Sequence, residues 1–190
     1  MPFDQGFDFR DTLAYVTDPA GSNFTFSDGY PITIGSATAG YDQGSPGTPI
    51  QTRNRNSGND ARIAGMHFSN STAEMRFRVD LPSTGDYTIH LALGDASYSV
   101  DCYVEIQDTT TILSTVQGNT GAANSFLDAT QTVYTAANWP GSETGILLTF
   151  TTTILRVRVG VQTPAKSGYL AYLRVVQAAA AGTLFAQTIL

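Results

Sequence analysis

Apolar and polar residues alternate most regularly over residues 74–95, which read EMRFRVDLPSTGDYTIHLALGD. Large apolar side chains occupy every second position on both sides of a turn at 82–86 that contains Pro and Gly. A side-chain period of two is typical of a β-strand with one buried face. We therefore predict an antiparallel hairpin here, with an apolar face that a second sheet must cover.

Shorter segments with the same period follow along the chain, for example at 126–134 and 154–161. They are separated by turns rich in Gly, Pro, Asn, Asp and Thr, and no segment shows a helical period. The pattern predicts an all-β fold, an antiparallel β-sandwich of the jelly-roll type with about eight or nine strands. We expect residues 1–177 to form this sandwich as a single domain.

Residues 178–190, AAAAGTLFAQTIL, differ from the rest of the chain because they carry no charge. Their large apolar side chains, which are unfavourable in water, are Leu184, Phe185, Ile189 and Leu190. This tail either adds a final strand to the sandwich or docks as an arm on a neighbouring subunit. We favour the arm, because the predicted strands are complete at Gln177.

The 190-residue chain is 42% hydrophobic and 14% charged, which is typical of a folded domain. Its net charge of −6 argues against binding to nucleic acid phosphates. No apolar stretch reaches the roughly 18 residues of a membrane span. The first residues lack the basic and apolar regions of a secretory signal, so we expect no signal peptide.

Positive charge is carried almost entirely by arginine. Of the ten Lys and Arg residues, only Lys166 is a lysine. Four of the arginines alternate with apolar residues on two predicted strands, at positions 76, 78, 156 and 158. Arginine makes planar contacts with two hydrogen bonds at once. These positions therefore fit either fixed contacts or a solvated face of a sheet.

Several motifs together resemble one known domain family. They are FDFR at 7–10, GYD at 40–42, RNR at 53–55, the alternating segment at 76–95 and YLAYLRV at 169–175. This set resembles the galactose-binding-like, malectin-like jelly roll found at the N-terminus of some bacterial SGNH-type esterases and polysaccharide lyases. The resemblance covers residues 7–177 and implies a jelly roll of the carbohydrate-binding-module type. The chain departs from the family pattern at Arg10, where the family has Gly, and at Asn54, where it has Asp.

Residues 94–97, GDAS, are similar to the nucleophile motif of SGNH esterases. A serine nucleophile needs a general base, usually His, within hydrogen-bond reach. The chain contains only His67 and His90, whereas the esterase histidine lies near the C-terminus. We therefore predict that the chain is not an enzyme.

Metal and cofactor binding have little support in the sequence. The two histidines have no His or Cys partner at zinc-ligand spacing, so we expect no cofactor. A structural calcium ion is compatible with a jelly roll, and Asp42, Asp60 and Asp95 are the candidate ligands.

The candidate binding site is the polar loop at 40–60 together with a tryptophan. Sugar binding needs an aromatic platform and planar hydrogen-bonding groups. Residues of these types are Tyr41, Arg53, Arg55, Asn56, Asn59 and Trp139. Long ordered loops are usually functional or interface-forming. The same residues are also suited to packing on a neighbouring subunit, so both roles remain open.

These observations lead to two functional hypotheses. The main one is a non-enzymatic phage virion decoration (cement) protein that forms homo-oligomers or binds other virion subunits. It rests on the apolar tail, the near-absence of lysine, the expected lack of a signal peptide and the jelly-roll architecture common in viral particles. The alternative is a carbohydrate-binding module of an extracellular polysaccharide-active system, with glycans as partners.

Overall fold

The structure of the chain is a computed structural model, which describes residues 2–9, 23–24, 30–34, 36–42, 51–54, 60–69, 74–141, 144–160 and 168–179. The strands are β1 (Asp4–Phe9), β2 (Asn23–Phe24), β3 (Ile32–Ile34), β4 (Ala37–Tyr41), β5 (Gln51–Asn54), β6 (Gly65–Ser69), β7 (Met75–Asp80), β8 (Gly85–Asp95), β9 (Asp101–Asp108), β10 (Thr111–Asn119), β11 (Ser125–Asp128), β12 (Val133–Thr135), β13 (Ile146–Phe150), β14 (Ile154–Val159), β15 (Gly168–Leu170) and β16 (Tyr172–Gln177).

Two short 3-10 helices, Ala61–Ile63 and Ala136–Gly141, lie between strands, and the described residues contain no α-helix. The prediction of an all-β fold is therefore confirmed. The strands are shorter and more numerous than the eight or nine expected, because some predicted strands are divided. Residues 126–134, for example, form the hairpin of β11 and β12.

The strands form two large sheets and one small sheet. The seven-stranded sheet has the order β12-β11-β8-β16-β1-β2, with β13 also paired to β8. The six-stranded sheet has the order β10-β9-β14-β7-β4-β3, and the three-stranded sheet has the order β15-β6-β5. The described pairings are antiparallel except for the short parallel contact of β1 with β2. This arrangement confirms the antiparallel jelly-roll sandwich.

The main core lies between the two large sheets. Phe7 of the seven-stranded sheet and Phe77 of the six-stranded sheet meet edge to face, with ring centroids 5.3 Å apart. Leu91 and Val157 are likewise fully buried in this core. Burying an apolar side chain of this size stabilises a fold by about 1.5–3 kcal/mol. Cys102 is also buried in this core.

The prediction for 74–95 is right about the two strands and wrong about their pairing with each other. β7 and β8 both form, and their alternate apolar side chains are buried. However, β7 pairs with β4 and β14, whereas β8 pairs with β11, β13 and β16 in the other large sheet. Residues 82–84 therefore cross between the sheets, and the Tyr87 hydroxyl fastens this corner by donating to the carbonyl oxygen of Ser83 at 2.8 Å.

A second apolar cluster covers part of the outer face of the seven-stranded sheet. Its members are Ile63, Met66, Phe68, Ala92, Phe126, Ala136, Trp139, Ala171 and Tyr172. Ala92 points away from the main core, because its neighbours Leu91 and Leu93 point into it. The last five residues of β8 are consequently buried on both faces. The small sheet and the two 3-10 helices supply the cover.

The predicted tail begins next to the start of β8. The backbone N–H of Ala178 donates to the carbonyl oxygen of Asp86 at 2.9 Å. Leu184, Phe185, Ile189 and Leu190 lie outside the described residues, so the docking arm stays a prediction. Within the described ranges, no helix has both the length and the apolar character needed to cross a membrane.

Candidate functional site

Tyr41, predicted as part of a sugar platform, lies at the end of β4 with only 6% of its surface exposed. Its hydroxyl is 2.5 Å from Nδ1 of His67, and the two rings are stacked with centroids 5.7 Å apart. The ring also contacts Phe77 edge to face. In this structure the Tyr41 side chain is therefore part of the core.

Trp139, the second predicted platform residue, lies in the 3-10 helix Ala136–Gly141 and is 0% exposed. Its ring packs edge to face on Phe126 and Tyr134, with centroids 6.2 and 6.3 Å away. A sugar ring stacks only on an exposed aromatic face, and Trp139 has none. The platform interpretation of Trp139 is therefore corrected: this residue belongs to the second apolar cluster, whereas Tyr41 belongs to the main core.

Arg53, on β5, places its guanidinium over the ring of Phe68 at 4.4 Å from the ring centroid. This contact is a cation–π interaction that fixes the arginine against the small sheet. Arg55, Asn56 and Asn59 lie outside the described residues. The role predicted for that loop stays a prediction.

The three candidate calcium ligands have other partners. Asp42 accepts from Arg156, Asp60 from Arg62, and Oδ1 of Asp95 from the backbone N–H of Ser97. In the described part of the chain, no three His, Cys, Asp or Glu side chains come together as metal ligands. The structure therefore does not assemble these carboxylates into one site.

The outer face of the six-stranded sheet brings polar side chains from three adjacent strands together. On β7 and β14, the apolar residues point into the core and Arg76, Arg156 and Arg158 point outward. Arg158 lies directly opposite Arg76 on one side and Glu105 of β9 on the other. Strand alternation thus places three arginines and a carboxylate side by side.

A groove of about 310 Å³ lies on this face. It is lined by Arg76, Gln107, Thr109, Thr110, Arg156 and Arg158. We call it the arginine groove. Its volume is near the lower end of the roughly 300–1,000 Å³ typical of small-molecule sites. The lining residues include no aromatic ring, so binding here depends on hydrogen bonds.

Each arginine of the groove is held by a carboxylate. Arg156 donates from Nε and Nη2 to Oδ2 of Asp42, at 3.0 and 2.6 Å, and from Nη1 to the carbonyl oxygen of Thr109 at 2.8 Å. Arg158 donates from Nε to Oε2 of Glu74 at 2.5 Å. Arg76 forms an ion pair with Oε1 of the same Glu74. These contacts hold the guanidinium planes in place before any ligand arrives.

Glu105 is the buried anchor of this arrangement, with a side chain that is only 2% exposed. It accepts hydrogen bonds from Arg158, Gln107 and Tyr103, at 2.9, 2.7 and 2.9 Å. Burial alone raises the pKa of Glu105, but these hydrogen bonds outweigh burial and hold the pKa below its ordinary value. For Arg158, burial acts to lower the pKa, and its bonds to the two glutamates raise it overall. Both groups therefore stay charged at neutral pH.

The alternating arginines at 76, 78, 156 and 158 are visible in the sequence, which leaves their role open. Whether these residues gather depends on the pairing of β7 with β14 and of β14 with β9. That pairing joins segments far apart in the chain. The sequence indicated that these arginines face outward on two strands, but it did not indicate that the two strands are neighbours.

No protein-family model matches the chain, and no curated protein sequence matches it. Among solved structures, protein YXIM from Bacillus subtilis superposes with a TM-score of 0.57 at 17% identity, over 93% of this chain and 40% of that chain. Bacteroides uniformis beta-glucuronidase 2 gives 0.50 at 14% identity, over 93% of this chain and 18% of that chain. A family 35 carbohydrate binding module from Clostridium thermocellum gives 0.41 at 15% identity, over 75% of this chain and 92% of that chain.

The superpositions on protein YXIM and on beta-glucuronidase 2 show a shared jelly-roll fold, which is the fold that the family resemblance implies. The chain spans less than half the length of the first two of these proteins. Nothing in these comparisons indicates a virion protein.

Proposed function

We propose that the chain is a non-catalytic carbohydrate-binding module that holds its ligand in the arginine groove. The observation that carries this proposal is the set of three guanidinium groups, fixed by Asp42, Glu74 and Glu105, around a cavity of about 310 Å³. A fold of the carbohydrate-binding-module type supports the same function.

The chemistry of the groove suits sugar hydroxyl groups. A guanidinium has five N–H donors in one plane. Arg156 uses three of its nitrogens on Asp42 and Thr109, and Arg158 uses two on the glutamates, in the contacts described above. The remaining N–H donors and the hydroxyl of Thr110 can bond the vicinal hydroxyl groups of a sugar ring. The Thr109 hydroxyl donates to Thr152, whose own hydrogen goes to Asp108, so Thr109 can accept from a sugar hydroxyl. A groove of this volume suits a monosaccharide or a disaccharide unit.

A role as a virion decoration protein is not carried forward. That hypothesis rested in part on the apolar tail at 178–190, of which residues 180–190 lie outside the described residues. No contact of the described residues favours an assembly role over glycan binding.

The proposal is tested by affinity electrophoresis and calorimetry against a panel of soluble plant and microbial polysaccharides. The informative variant is Arg76→Ala, because Arg76 lines the groove and is the most exposed of its three arginines, at 42%. We expect binding to weaken about tenfold, since a hydrogen bond from a charged group contributes about 1.5 kcal/mol or more.

Arg78→Ala is the matched control. Arg78 lies on the same strand and the same face, but it pairs with Asp80 and stacks over Tyr30 outside the groove. Its removal should leave binding within about twofold of the wild type. Equal losses of affinity in the two variants would indicate that the sugar binds outside the groove. A chain that is retained by no polysaccharide of the panel would refute the proposed function.

A further inference from the structure

The arginine groove is rich in arginine and yet carries no net charge. Its three arginines face three carboxylates, Asp42, Glu74 and Glu105. We infer that the groove selects an uncharged sugar and discriminates against acidic glycans. This inference rests on the proposed carbohydrate-binding function and specifies the class of ligand.

The ion pairs oppose recruitment of an anion to the arginines. Arg158 is 28% exposed and its partner Glu105 is 2% exposed. A uronate or sulfate that drew Arg158 away would leave the buried carboxylate of Glu105 without its charge partner. Breaking a partly buried pair in this way is costly, because the desolvated charge is no longer compensated.

Among the described residues, the next arginine on this face adds no uncompensated positive charge to help an anion. The next arginine on the same face, Arg78, is paired with Asp80 through a bond of 2.8 Å from Nε to Oδ1. The chain as a whole carries a net charge of −6. An acidic polysaccharide would therefore approach a surface of its own sign, which slows association and weakens binding.

The groups left for a ligand match hydroxyls better than carboxylates. Gln107 donates its Nε2 to Glu105, which leaves its carbonyl oxygen as an acceptor. The hydroxyl of Thr110 can both donate and accept, whereas the hydroxyl of Thr109 donates to Thr152 and is left as an acceptor. Together with the remaining guanidinium N–H groups, the groove therefore offers donors and acceptors in a mixture. A sugar hydroxyl uses both kinds, whereas a carboxylate only accepts.

The inference is tested by calorimetry with neutral oligosaccharides (gluco-, manno-, xylo- and galacto-series) and with oligogalacturonate, at about 50 mM and about 500 mM NaCl. We expect a neutral oligosaccharide to bind with a Kd that changes by less than about twofold between the two salt concentrations. Oligogalacturonate should bind at least about tenfold more weakly than that sugar. Tighter binding of oligogalacturonate, lost at high salt, would overturn the inference and leave the proposed function standing. No binding by any of these ligands would overturn both.

A variant with altered charge provides a second, independent test of the inference. Glu105→Gln removes one negative charge from the groove and keeps the size of the side chain. The affinity for oligogalacturonate should then rise about threefold or more at low salt, and the gain should vanish at high salt. The control is Asp101→Asn, which removes a carboxylate from the start of the same strand, outside the groove lining. An equal gain in the control, or no gain in Glu105→Gln, would show that charge balance in the groove does not set the ligand class.

Discussion

Arg158 on β14 and Glu105 on β9 form an ion pair across neighbouring strands, with Nη1 of the arginine 2.9 Å from Oε2 of the glutamate. The carboxylate is buried, and the arginine also bonds Glu74 at the edge of the same face. Arg158 thus connects the buried Glu105 to Glu74, which is more exposed. The pair holds the groove in shape and contributes to the stability of the sheet.

The lowered pKa of Glu105 predicts a loss of stability in acid. Burial is the largest single effect and raises the pKa, but the hydrogen bonds from Tyr103, Arg158 and Gln107 and the charge of Arg158 together outweigh it. A group whose pKa is depressed on folding contributes stability above its ordinary value of 4.5, and that contribution is lost as the pH falls through the lower folded value. Urea unfolding between about pH 7 and about pH 3 should show the wild type losing more stability than Glu105→Gln. Parallel losses in the two proteins would contradict the assignment.

The alternation at 74–95 predicted two strands and their buried faces, but it could not identify their partners. A period of two reports that one face is covered, and the same period fits a hairpin and a pair of facing strands. Two features of the structure distinguish facing strands from a hairpin. Residues 82–84 cross between the sheets, and Phe7 contacts Phe77 from the opposite sheet. Such contacts depend on long-range pairing that local pattern does not contain.

Trp139 shows the same limit at the candidate site. A lone tryptophan beside Pro140 and Gly141 is typical of an exposed loop tip. Its burial depends on Phe126 and on the second apolar cluster, which the outer face of β8 supports. The arginine groove could be predicted only in part. The outward register of the arginines follows from the alternating sequence, but the adjacency of their strands depends on long-range pairing.

Trp139 is the single tryptophan of the chain, so its burial can be measured directly. We expect blue-shifted fluorescence that iodide does not quench in the folded protein and that glycan binding leaves unchanged. Unfolding in urea should shift the emission to the red. Efficient quenching by iodide in the native state, or quenching by a bound oligosaccharide, would instead support the prediction that Trp139 is an exposed sugar-binding platform. Trp139→Ala should cost about 3–5 kcal/mol of stability, as expected for a buried aromatic.

Gly94 is predicted to be intolerant of a side chain. A Cβ at this position would lie 2.6 Å from the carbonyl oxygen of Ser125 and 2.8 Å from Cδ1 of Phe126, so backbone must move. We expect Gly94→Ala to destabilise the fold by about 1–3 kcal/mol or more, measured by urea unfolding.

Gly118→Ala is the control for this prediction. Its Cβ would meet only the methyl groups of Leu127, at 3.3 and 3.4 Å, and those can rotate away. The change should stay within about 1 kcal/mol of the wild type, because alanine also restricts the unfolded chain. Equal destabilisation at the two positions would mean that β11 does not pack on β8 as described.

Phe7 and Phe77 provide the test of the corner at 82–84, since their contact exists only if β1 and β7 face each other across the core. A double-mutant cycle with Phe7→Leu and Phe77→Leu should give a coupling energy of about 0.5–1.5 kcal/mol, the range for edge-to-face aromatic pairs. The control cycle pairs Phe77→Leu with Phe126→Leu, because Phe126 belongs to the second apolar cluster. Those two changes should add within about 0.5 kcal/mol. Additivity in the first cycle would contradict the packing of β1 on β7 across the core, and with it the crossing of residues 82–84 between the sheets.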